Sequence, residues 1–196
     1  TLQSDSAGLG TKLETVGAIA SDTGKKMTTS LTVPIVGLGA AAVKSAADFE
    51  TAFTGVRKTV DETEENYKRL SDGILEMSER MPTAATEIAG VMEVAGQLGI
   101  RGVENLLNFT ETMVMLGDTT NLTAEDAATS LARVMNIMGT AESDIGRFGS
   151  TVVALGNNFA TTEAEIVMMS NRLAAGAKLA GFTEAEMMAL ATAMSS

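Results

Sequence analysis

Few residues in this chain are spaced for chemistry. Gly37, Gly39 and Ala42, in the run from Leu31 to Ala42, match a GxGxxA fingerprint. In that fingerprint the glycines let the backbone approach a pyrophosphate at a helix N-terminus. The reading requires a preceding strand and an acidic residue about twenty positions on, at the end of a second strand. Asp61 is suitably placed, but Pro34 would sit inside the first strand, Arg57 to Val60 does not read as a strand, and no βα alternation follows. Nucleotide binding is therefore the remote alternative. Glu62, Glu64 and Glu65, and Glu163 with Glu165, could act as acid and base or hold a hard cation. Beside Thr and Asp, the same carboxylates suit the first turn of a helix, where the dipole favours negative charge. The chain has no His and no Cys, which removes the usual general base, the usual partner of a nucleophile and the commonest zinc ligands. No catalytic residue, metal or cofactor is expected, and the chain reads as non-enzymatic.

The elements that would carry these residues are helices. Nineteen Gly against two Pro, 13 Met, 4% aromatic residues and no Trp favour loosely packed helices over strands, which draw on aromatic and β-branched side chains. Residues 1–82 carry 9 Lys+Arg against 12 Asp+Glu, and residues 83–196 carry 5 against 13. An acidic surface of this kind repels phosphates and anionic headgroups, so no specific nucleic-acid binding by the folded segment is expected. The longest apolar stretch, Val33 to Val43, is well short of the ~20 residues that span a bilayer. Both ends read as cut from a longer chain, since Thr1 follows no Met and the last periodic helix reaches Met194 without a closing Gly or Asn.

Leu9, Leu13, Val16 and Ile19 or Ala20 suggest one amphipathic helix, and Thr32 before Val33 and Pro34 marks the start of another. From Ile35 the apolar positions advance by alternating steps of four and three. Phe49, Phe53, Val56, Val60, Tyr67, Leu70, Ile74, Met77 and Met81 form the seam, Thr63 is its single polar member, and the charged residues fall on outer positions. Such spacing suits a coiled coil through which copies of the chain self-associate. It equally suits a helical hairpin packed on its own domain, with Asp61 to Glu64 as a capping box that restarts the helix. Gly37, Ala41 and Ser45 add a stripe of small residues that would admit a neighbouring backbone closely. A membrane-active or pore-forming helical protein is the alternative built on that stripe.

After Pro82 the punctuation repeats. Thr83, Thr123 and Thr162 each open a unit about forty residues from the next, and the first helix of each closes at Gly99, Gly139 or Gly181. Thr162 with Glu165 and Thr183 with Glu186 are capping boxes, and Thr123 with Asp126 is a weaker version. The second helices are expected from Val103 to Leu116, Ser143 to Leu155 and Glu184 onward. The expected fold is all-α: residues 1–82 an extended amphipathic arm with the heptad seam, and residues 83–196 a domain of helical hairpins, either a bundle or a short α-solenoid. The Met pairs Met113/Met115, Met168/Met169 and Met187/Met188 read as core filler, with a pliable partner surface as the lesser reading.

The run TTSLTVPIVGLGAAAVKSAADFETAFTGVRK, from Thr28, resembles the amino-terminal region of phage tail tape measure proteins, with Pro34, Phe49, Glu50 and Val56 in the places of that family's pattern. The blocks TEIAGVMEVAGQLGI from Thr86, TAEDAATSLARVMNIMG from Thr123 and GFTEAEMMALATAMSS from Gly181 are similar to the family in order and spacing. The resemblance covers roughly residues 10–196. It implies a structural protein of the virion tail lumen, present in the host cytoplasm during assembly, around which tube subunits polymerise and whose length sets tail length. The partners it implies are the tail tube protein, assembly chaperones and tail tip proteins, with exit ahead of the DNA, and membrane contact only during infection. A homo-oligomer is expected from the seam.

Overall fold

The computed structural model describes the backbone from residue 33 and side chains from residue 44, in both cases through residue 196. The helix expected around Leu9 to Ala20 and the small side chains of Gly37 and Ala41 lie outside the described residues. Eight α-helices follow one another, with no strand among the described residues. They are α1 (Val33–Thr59), α2 (Glu64–Arg80), α3 (Ala85–Gln97), α4 (Val103–Thr119), α5 (Ala124–Met138), α6 (Ile145–Asn158), α7 (Glu163–Leu179) and α8 (Glu184–Ser195), with a 3-10 turn at Glu142–Asp144. The all-α expectation holds. The GxGxxA run lies within α1 and not between a strand and a helix, so its glycines form no phosphate-cradling turn and the nucleotide-binding alternative loses its structural basis.

The heptad seam is not carried by one helix. α1 ends at Thr59, and α2 restarts with Thr63 as N-cap, its hydroxyl accepting from the Asn66 amide at 3.3 Å. The restart uses Thr63 and not Asp61, because Thr63 has the extended backbone (φ −75°, ψ 160°) that aims its hydroxyl at the new helix. The one polar member of the seam is thus the residue that interrupts it. Between the two helices the Tyr67 hydroxyl donates to the Val60 carbonyl at 2.6 Å, supplying a donor to the end of α1.

Phe49, Phe53, Val56, Val60, Tyr67, Leu70, Ile74 and Met77 are buried, and Met81 is half-buried against the same core. That core is continuous with Ile88, Met92, Leu106, Phe109 and Met113 of α3 and α4. In this structure the seam therefore faces the core of its own chain. Contacts divide the chain between Ala47 and Asp48. The compact unit beginning at Asp48 includes α2, and the turn at Pro82 lies inside it.

Within that unit the substantial packing is between helices one or two apart in sequence. α3, α5 and α7 make one row and α2, α4 and α6 another, with α8 against α7. The result is a bundle-like arrangement built by stepwise addition. The pair α5/α6 departs from a simple hairpin: these helices meet little directly, and both pack instead on α4 and on α7. Gly149 on α6 permits this, since a β-carbon there would lie 2.8 Å from Thr112 Cγ2 of α4.

Because Leu70 and Ile74 are fully buried in their own chain, Asp at both positions is expected to abolish most of the helical dichroism, as unpaired buried charges do. A variant that stays helical but loses mass in light scattering would show instead that the seam joins separate copies.

Candidate functional site

The features that recur along the chain lie where one helix pair meets the next. α3, α5 and α7 end in the same way. The residue after the glycine donates its amide to the carbonyl four residues before that glycine: Ile100 to Ala95 at 3.1 Å, Thr140 to Met135 at 3.0 Å and Phe182 to Ala177 at 2.9 Å. Gly99, Gly139 and Gly181 have φ of 96°, 76° and 80°, a left-handed conformation that glycine adopts without steric cost and that closes helices in this way.

Three residues before each of these glycines stands the residue that reaches the preceding pair. Asn136 on α5 donates its side-chain amide to the Leu98 carbonyl at 3.0 Å, at the end of α3. Lys178 on α7 donates to the Met138 carbonyl, at the end of α5. Gly96 occupies the same place on α3, and there the end of α1 comes so close that a β-carbon would lie 2.6 Å from Thr59 Oγ1 and 2.7 Å from Val60 Cγ2. A carbonyl at a helix end needs a partner, and a cation there also meets the negative end of the dipole. The turns are linked as well. Glu142 accepts from the Arg101 backbone amide at 3.3 Å and from Asn105 at 2.8 Å, and Glu184 accepts from the Thr140 hydroxyl at 2.6 Å.

The opposite ends of the pairs are joined by close approach. Gly117 on α4 and Gly156 on α6 each face the first residue of the helix that follows, Ala124 or Glu163. Asn121, in the turn before α5, accepts from the backbone amide of Ala164 in the first turn of α7 at 3.2 Å. Arg69–Glu104 and Arg80–Glu111 bridge α2 to α4, but they are largely exposed and add little stability.

The charged groups singled out in the sequence serve these ends. Thr162 and Thr183 form complete capping boxes, and Thr123 accepts from the Asp126 amide without the reciprocal bond. The backbone amide and hydroxyl of Thr162 hold the Glu165 carboxyl below its ordinary range, and those of Thr183 do the same for Glu186. Glu64 receives a bidentate Arg57 guanidinium at 2.8 Å on both oxygens, which lowers the Glu64 pKa and raises that of Arg57. The same guanidinium lies 4.5 Å from the Tyr67 ring centre. Glu62 accepts from Asn66 at 2.7 Å. Among the described residues no group of acidic side chains is arranged to hold a metal ion. No described helix is long and apolar enough to cross a membrane.

Three of the Met side chains split by face. Met113 and Met187 are buried as core filler, whereas Met168 is half-exposed at 50%. Sequence reasoning found the glycines and caps at the joints but not Asn136, Glu142, Lys178 or Glu184, whose partners lie 37 to 44 residues away.

The described residues form an all-helical, bundle-like protein whose recurring polar contacts join one unit to the next. The phage-related minor tail protein family matches residues 71–196, and the chain belongs to that family, a component of the virion tail with a structural role. No solved structure matches the chain.

Two tests follow from the joints. A β-carbon at Gly117 would sit 2.7 Å from the Ala124 backbone nitrogen and 2.9 Å from its Cβ. Gly117→Ala should therefore cost about 1–3 kcal/mol by overpacking. Gly90→Ala, with nothing within 4 Å, should be neutral or gain up to about 1 kcal/mol from helix propensity. Equal melting temperatures for the two variants would refute the close approach.

The second test is acid titration. Glu165 and Glu186 have folded pKa values below the ordinary 4.5, so their contribution is present above the unfolded value and is lost as pH falls through the folded one. The melting temperature should decline below about pH 4.5, and E165Q/E186Q should flatten that decline. A slope unchanged by the substitutions would mean that the boxes do not carry it.

Proposed function

We propose that this chain is part of a tail tape measure protein and that its described region is a docking and scaffolding segment of that protein. The observation that carries the reading is the stepwise packing of α2 to α8, combined with a family match that begins within α2, at residue 71, and runs through residue 196. A ruler works by axial length, to which a straight helix contributes about 1.5 Å per residue. Residues 83–196 are instead divided into helices of 12 to 17 residues packed side by side, so much of their length is folded away. A segment of that kind suits binding to assembly chaperones, tube subunits or the tail tip, while other parts of a tape would set the distance.

The acidic balance of residues 83–196 suits a protein that shares the tail lumen with DNA without gripping it. Exit ahead of the DNA, a period in the host cytoplasm during assembly and self-association of the chain belong to the same reading. The first two rest on the tape measure resemblance, and self-association rests on the spacing of the seam.

The test is deletion of Thr123 to Thr161 in the protein as the phage makes it. These 39 residues carry α5 and α6, and as a straight helix they would span about 58 Å. The docking reading expects electron micrographs to show tails of unchanged length, or failed and misinitiated tails. Well-formed tails shortened by about 58 Å would place this region in the ruler and end the reading.

A further inference from the structure

We infer that the depression between α5 and α7 is a docking site for an acidic amphipathic helix of another protein. It encloses about 530 Å³ and is lined by Arg133, Asn136 and Ile137 of α5 and by Met168, Asn171 and Arg172 of α7. Each wall therefore presents one guanidinium, one amide and one apolar side chain at i, i+3 and i+4 spacing, in reversed order on the two helices.

Residues 83–196 contain five basic side chains, and three are engaged. Arg101 donates to the carbonyls of Gly96 and Ile100 at 2.8 and 2.9 Å, Arg147 pairs with Asp144 at 3.1 Å, and Lys178 donates to Met138. Among the described residues Arg133 and Arg172 have no carboxylate partner, and the polar contact that Arg172 makes there is with the Met168 sulfur at 3.7 Å. Both line this depression. On a region with thirteen acidic side chains, the positive charge that is not neutralised is thus gathered at one place.

Beside the two guanidiniums the same depression is lined by Ile137, 40% exposed, and Met168, 50% exposed. That combination specifies the occupant. A guanidinium pairs with a carboxylate through two parallel hydrogen bonds, and an apolar pair with an adaptable methionine takes an apolar side chain between them. A groove between two helices accepts a third as anchors at i, i+3 or i+4. A nucleic-acid backbone would satisfy the guanidiniums but leave Ile137 and Met168 uncovered. The inference does not depend on whether the protein measures tail length.

The test uses the 196-residue chain and two variants, R133Q/R172Q and I137S, all at exposed positions, so the melting temperature should stay unchanged. A library of random peptides of about 15 residues, long enough to form a helix on binding, is selected against the unmodified chain. The expected binders carry Asp or Glu beside Leu, Ile or Met at helical spacing. They should lose about tenfold or more in affinity for R133Q/R172Q, lose affinity for I137S, and weaken as salt rises. Binders without acidic residues, binders indifferent to both variants, or no binders at all would overturn the proposal. So would a short DNA duplex that binds the unmodified chain and not R133Q/R172Q.

Discussion

A helix that ends inside a packed protein leaves carbonyl groups with no partner in its own backbone, and the architecture of this chain follows from how those groups are satisfied. Some are closed locally by the amide after a left-handed glycine. Another is met by a side chain of the helix two positions on, Asn136 at the end of α3 and Lys178 at the end of α5. Because the second solution comes from the next helix of the same row, satisfying one end also sets the register of the next pair. The apolar stripes then pack in that register, so hydrophobic burial supplies most of the stability while the polar joints choose among sliding positions that burial alone would tolerate.

Helix punctuation was legible because it is local. A capping box needs two residues three apart, as in Thr162 with Glu165, and a left-handed closure needs a glycine just past the last apolar residue, as at Gly139. The break near residue 60 was harder to see. Val60 and Tyr67 are both buried, and the turn between them preserves the four–three rhythm, so apolar spacing alone cannot distinguish a continuous helix from two helices sharing a core. Thr63 was the sign, a polar residue in an otherwise apolar seam. Its meaning depends on backbone angles that spacing does not carry.

The joints themselves were mostly illegible. Asn136, Glu142, Lys178 and Glu184 look like ordinary surface residues of helices and turns, and only a fold that brings together positions about forty apart gives them partners. The close approaches at Gly117 and Gly156 are hidden for a related reason, since a glycine within a helix usually signals weakness and not proximity. The clustering of Arg133 with Arg172 is likewise a property of two helices in one row. Low-complexity sequence rich in Ala, Gly and Met conceals such pairings because no side chain in it is unusual by itself.

Packing that reaches only one or two helices along the sequence has a mechanical consequence. In a globular core with many contacts distant in sequence, tension on the two ends is resisted by the whole structure at once. In a nearest-neighbour stack the load falls on one joint at a time, so the resistance is set by the weakest joint and not by their sum. Each pair of about forty residues that opens lengthens the extended chain by up to roughly 130–145 Å, leaving its neighbours folded until their own joints give way. Such a chain behaves as a series of catches, yielding in steps when drawn through a narrow passage.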